Sequence, residues 1–122
     1  MTQQYPAIDF THGAKVLGDE QTAKQLFVLF IEKLPFYKSE MNQLATGSDL
    51  PGLSECIHGL KGATCYTSTP ALHDHVSKAN DWLSQYGQTN SLTEQQKAEL
   101  MQMIEIINSS MSELEAIDPL SV

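Results

Sequence analysis

The sequence predicts an all-α fold, an antiparallel up-and-down four-helix bundle with a short N-terminal cap helix. Three observations carry that expectation. Apolar residues return every three or four positions, and no stretch alternates cleanly at two. Cap and turn signals divide the 122 residues into one short and four long periodic segments. The connections between the long segments are short, which makes sequential helices antiparallel neighbours. With 41% hydrophobic residues the chain can fill one core but not two, so a single domain is expected over residues 1–122, with its core at about 8–118.

The short segment carries Ile8, Phe10, Ala14 and Leu17 and ends at Gly18. Asp19 is placed to cap a long helix whose stripe is Leu26, Phe27, Phe30, Leu34, Tyr37, Met41 and Leu44. Pro35 lies inside that stripe, which resumes in phase beyond it, so a kink is expected rather than an end. Thr46-Gly47-Ser48-Asp49 signals a turn, and Pro51 suits the first turn of a third helix starting near residue 49. Leu50, Leu53, Ile57 and Leu60 form its stripe, which continues towards Thr64. Ser68-Thr69-Pro70 marks the next break, with Thr69 as N-cap and Pro70 at the first position of a fourth helix bearing Leu72, Val76, Ala79, Leu83 and Tyr86. After a loop from Gly87 to Asn90, Thr93 and Gln96 spell a capping box. The last stripe, Leu100, Met103/Ile104, Ile107, Met111 and Leu114, ends before Pro119.

Fifteen acidic residues stand against seven lysines, and arginine is absent. That balance argues against nucleic acid and anionic membranes, which need clustered cations. Proteins or small solutes are the expected partners. The longest apolar run, Leu26 to Ile31, is far too short to span a bilayer, so a soluble, cytoplasmic chain without direct membrane contact is expected. Cys56 and Cys65 fall on one helix, on opposite sides and roughly 13 Å apart along its axis. They cannot bridge each other, and no CxxC pattern points to a metal.

The third helix holds the chemistry. Around its axis His58 falls about 100° from Ile57, outside the core stripe, with Lys61 near 40° and Gly62 near 140°. Gly59 and Gly62 each cost roughly 1 kcal/mol against alanine inside a helix. At Gly62, one turn beyond His58, clearance is a sufficient reason: a missing side chain leaves the imidazole open to a blunt partner. Residues 58 and 80 are equidistant from the turn residue 69, so Asn80 should lie at the depth of His58 on the neighbouring helix. Its amide can hold one ring nitrogen while the other faces solvent. An exposed, oriented imidazole beside a lysine suits capture of a phosphoryl group. No Walker loop, nucleotide-binding glycine motif or magnesium carboxylate cluster accompanies it, so no ATP-dependent kinase activity of its own is expected.

At His58-x-x-Lys61-Gly62 the sequence resembles the histidine-containing phosphotransfer (HPt) domain family. The likeness extends to Asp9-Phe10, to Leu34-Pro35 in the long helix, and to Pro70-x-Leu72. It is most similar to the C-terminal domains of hybrid sensor kinases of the BarA/GacS type. The resemblance implies that His58 accepts a phosphoryl group from a receiver-domain aspartate and passes it to a response-regulator aspartate. Lys61 and Gly62 carry over by position, and Asn80 sits where members often place a polar residue that bonds the histidine. It also implies a receiver domain of a hybrid kinase and a response regulator as partners, magnesium on the partner receiver only, no cofactor on this chain, and a monomeric domain at the cytoplasmic end of an inner-membrane kinase. Three positions depart from the pattern: Cys65 replaces a small residue, Ser68 replaces a glycine, and Asn80 is shorter than the usual glutamine or glutamate.

Other readings are blander. A helical adaptor that binds a receiver or another protein without chemistry is the alternative function. Glu55-x-x-His58 is half of a di-metal bundle motif whose other half is missing. His73 and His75 are about 200° apart on a helix and diverge, as solvated histidines would. His12 carries no assignable chemistry. Trp82, Tyr86 and the phenylalanines of the second helix have core spacing, the methionines read as gap fillers, and the acidic last helix reads as a solvated face.

Overall fold

The structure, a computed structural model, describes residues 5–47, 49–88 and 91–118. Five helices account for nearly all of it: α1 (Phe10–Leu17), α2 (Glu20–Thr46), α3 (Leu50–Thr64), α4 (Pro70–Tyr86) and α5 (Glu94–Glu115). No strand occurs among the described residues. Ser48, Thr89 and Asn90, assigned to a turn and a loop from sequence, and Pro119, before which the last stripe is expected to end, lie outside them.

Local chemistry sets the boundaries. The Asp9, Asp19 and Asp49 carboxylates accept from the backbone N–H groups of His12, Thr22 and Gly52, satisfying donors that a helix start leaves unpaired. Asp19 accepts also from the Thr22 hydroxyl, and the Thr22 hydrogen bonds hold its carboxyl below the usual carboxylate range. Gly18 ends α1 at φ 98°, in the left-handed region. The expected capping box at Thr93 and Gln96 is formed in both directions. Thr69 precedes α4 as expected, but its hydroxyl bonds Thr67 instead of the helix.

α2 runs unbroken through Pro35. A proline inside a helix costs about 3 kcal/mol, while burying one large apolar side chain contributes about 1.5–3 kcal/mol. Ile31 and Leu34 before the proline and Met41 after it are all buried, so keeping one helix outweighs the lost hydrogen bond.

α2 packs against α3 and α5, α4 packs against the same two helices, and α1 lies on α2. The core inside this ring holds Phe27, Leu34, Met41, Leu53, Ile57, Leu60, Leu72, Val76, Leu83, Ile104, Ile107 and Leu114. Polar ties join the edges. Asn42 and Asn108 exchange hydrogen bonds between α2 and α5, and Trp82 Nε1 donates to Glu99 across α4 and α5. Lys38 on α2 reaches Glu115 on α5 at 2.9 Å. α1 is fixed by an edge-on contact of Phe10 with Phe27, and the chain before it by hydrogen bonds from Asp9 N–H to the Ser68 carbonyl and from Ala71 N–H to the Pro6 carbonyl.

Two side-chain expectations need correction. Phe36 is 74% exposed rather than core, because it stands half a turn from the Phe27 stripe; Leu29, seven residues earlier, is exposed on the same face. His73 is not a solvated histidine. Half-buried, its Nδ1 lies 2.8 Å from Thr64 Oγ1 and ties α4 to α3. His75 turns away from it towards α5, in a groove with Gln102, Glu105 and Ile106.

Candidate functional site

His58 is exposed on α3. Its ring has no hydrogen-bond or ion-pair partner among the described residues, so nothing holds its lone pair. Asn80 on α4 lines the same shallow groove, together with Ser54, Glu55, Leu83, Ser84 and Gln88. The depth argument that paired positions 58 and 80 thus brings the two side chains to one groove. It does not bring them into contact, because no hydrogen bond joins His58 to Asn80 among the described residues.

Lys61 and Gly62 follow on the next turn, outside that groove. Lys61 is half-buried and has no ion-pair partner among the described residues. A Cβ added at Gly59 or Gly62 would meet no atom within 4 Å. Among the described residues neither glycine is demanded by packing, although both weaken the helix.

Sequence reasoning missed Ser54, Leu83, Ser84 and Gln88 as neighbours of the imidazole. Helical spacing held the signal for two of them. Ser54 precedes His58 by four residues and Ser84 follows Asn80 by four, and such pairs share a face. Ser54 Oγ is buried with no partner among the described residues, against the backbone of Gly87 where α4 ends. Among the described residues, no group of three or more His, Cys, Asp or Glu is placed to hold a metal ion. Glu55 is exposed in the groove and finds no second carboxylate there.

The two cysteines are free. Burial, reinforced by a hydrogen bond from the thiol to Glu40 and by the charge of that carboxylate, pushes Cys56 up to about 12. Cys65 is exposed, and its Sγ lies 3.4 Å from the Lys61 carbonyl.

A family model described as Hpt domain matches residues 25–116, from the first third of α2 to the residue that caps α5. The chain belongs to the Hpt domain family. Searches of curated proteins and of solved structures gave no match. Hpt domains carry out histidine phosphotransfer in two-component phosphorelays, interacting with receiver domains and response regulators. Within the Hpt match, α2 to α5 supply the whole ring of packed helices and the whole groove around His58. α1 lies outside the match and covers Phe27 through Phe10. No described helix is long and apolar enough to cross a membrane.

Proposed function

We propose that this Hpt domain is a phosphoryl carrier in which His58 takes the group from a receiver-domain aspartate and hands it to the aspartate of a response regulator. One observation carries the assignment: among the described residues, the imidazole stands exposed and unpartnered beside two helix glycines that no neighbouring atom requires. A neutral ring nitrogen attacks phosphorus as the P–O bond to aspartate breaks, and the carboxylate leaves with the electron pair. The other nitrogen keeps its proton, and this N–H donates a hydrogen bond to the Asn80 amide oxygen once the side chain turns towards the ring. Lys61 offsets the charge arriving on His58, and Gly62 gives clearance to the partner. Magnesium belongs to the partner receiver, and this chain needs no cofactor.

The same reading makes the chain an antiparallel up-and-down bundle over residues 8–118, supported by the closed order of packing α2, α3, α4, α5. It acts as a monomer in the cytoplasm and draws its phosphate from the receiver of a hybrid sensor kinase. The outward apolar face of α2, with Leu29 and Phe36, supports a protein as partner. Incubation with a phosphorylated receiver should place acid-labile, base-stable phosphate on the chain. His58→Gln should take up none while still binding the receiver. Binding by the unaltered chain without any phosphate uptake would leave an adaptor and overturn the assignment.

A further inference from the structure

Phosphotransfer through His58, Lys61, Gly62 and Asn80 leaves Glu55 without a part. Glu55 is exposed and lines the same groove as His58. Besides His58 it is the one ionisable residue of that groove among the described residues. The ion pairs among the described residues use Glu20, Glu115, Asp74 and Glu94, so none of them neutralises Glu55.

Helix geometry sets this carboxylate against Lys61. Glu55 precedes His58 by three residues and Lys61 follows it by three, so each stands about 60° round the axis and ~4.5 Å along it from the histidine, on opposite sides. Residues at that spacing have Cβ atoms about 5–6 Å apart. His58 is therefore midway between an acid and a base on its own helix. Their settings differ, since Glu55 is exposed in the groove whereas Lys61 is half-buried and outside it.

We propose that Glu55 sets how weakly His58 holds its phosphoryl group, its carboxylate repelling the bound group so that phosphate moves on to the regulator instead of accumulating on the chain. The proposal rests on the phosphotransfer reading. A phosphoryl group brings about 1.5–2 negative charges near neutral pH. Lys61 favours their arrival and Glu55 opposes it. On discharge the P–N bond breaks, its electron pair stays on the ring nitrogen, and a carboxylate oxygen of the regulator's aspartate forms the new P–O bond. Glu55 touches no reacting atom; the charge it repels simply leaves with the phosphoryl group. Two negative charges about 7 Å from a third, across water and screened over about 8 Å at 0.15 M salt, shift an equilibrium roughly two- to threefold, and about fivefold where screening is weak.

The test compares the full native chain with Glu55→Gln, which keeps the size and removes the charge. Each is equilibrated with a phosphorylated receiver domain, and the ratio of phosphate on His58 to phosphate on the receiver's aspartate is measured after the two proteins are separated. That ratio compares free species, so a change in docking alone does not move it. Glu55→Gln should raise it about two- to threefold at 0.15 M salt and about fivefold at low salt, with urea unfolding unchanged. Glu55→Asp should stay near the native ratio, and Lys61→Gln should lower it. An unchanged or lower ratio in Glu55→Gln, or a rise that does not grow as salt is removed, overturns the proposal. If the native chain takes no phosphate from the receiver, the phosphotransfer reading fails instead. Phosphoramidate, which phosphorylates histidine directly and releases ammonia, then decides the part of Glu55: at a fixed ratio of donor to ammonia, the odds of finding phosphate on His58 by peptide mapping should rise by the same factor in Glu55→Gln, and equal odds refute the repulsion.

Discussion

Ser68 stands at φ 59°, left-handed backbone that a glycine would occupy without strain, and its buried hydroxyl has no partner among the described residues. Ser68→Gly relieves both defects. A side chain in the left-handed region costs about 1–2 kcal/mol, and an unsatisfied buried hydroxyl about 1–3 kcal/mol. Against this, glycine gives the unfolded chain more freedom, worth roughly 0.5–1 kcal/mol. The balance is a stabilisation of at least about 1 kcal/mol, or roughly 3–5 °C in a domain of this size. Thermal and urea unfolding followed by circular dichroism read it directly, with Ser68→Ala alongside. Alanine removes the hydroxyl but keeps the Cβ, so it should gain less than glycine. A midpoint that falls or stays level in Ser68→Gly refutes the reasoning, and equal gains in the two variants refute its backbone part.

Gly13 meets the same serine: a Cβ there would overlap Ser68 Oγ and crowd the Ala23 Cβ, so Gly13→Ala should destabilise the fold, and Ser68→Gly in the same chain should recover part of the loss. A double-mutant cycle in urea checks the coupling. Gly62→Ala should stabilise α3 by about 0.5–1 kcal/mol because its methyl meets open space, whereas Gly62→Phe should leave unfolding nearly unchanged and slow uptake of phosphate from a receiver by tenfold or more. Cys56 adds an alkaline limit. Its folded-state value is raised from 9.0 to about 12, so the contribution to stability is full below pH 9 and is lost as the pH climbs towards 12. Over that range Cys56→Ala should lose stability less steeply than the unaltered chain in urea titrations.

Much of the fold was legible because short-range chemistry decides it. Asp19, Asp49, Thr93 with Gln96, and Gly18 mark boundaries through hydrogen bonds or backbone angles confined to one turn. The stripes of α2 to α5 matched most of the buried residues because a bundle core selects one face per helix, though Leu26, Tyr37, Leu44 and Tyr86 are only partly buried and Ile31, outside the expected stripe, is buried. Phe36 was misjudged because residue type was weighed above phase: it is aromatic, but half a turn off the stripe. The burial of His73 depends on Thr64, nine residues earlier on another helix, and no local pattern carries that pairing. Thr69 misled in its role, since the Thr67 hydroxyl competes successfully for it. In the candidate site, helical phase alone put His58 outside the core, and reflection about residue 69 brought Asn80 to its groove. Rotamers of an unpartnered ring are not encoded in spacing, so the absence of a His58–Asn80 hydrogen bond could not be read in advance. The left-handed backbone at Ser68 was signalled only by its standing where the family pattern has glycine.

The claim that His58 is a way-station for phosphate is tested most directly by a chase. The chain is loaded from a phosphorylated receiver, purified, and mixed with an unphosphorylated response regulator, and phosphate is followed on both partners while peptide mapping locates it on the chain. The account predicts phosphate on His58 that disappears as an equal amount appears on the regulator's aspartate, and no loading of His58→Gln. Phosphate that maps to another residue, or a His58→Gln chain that loads and discharges like the original, would contradict it.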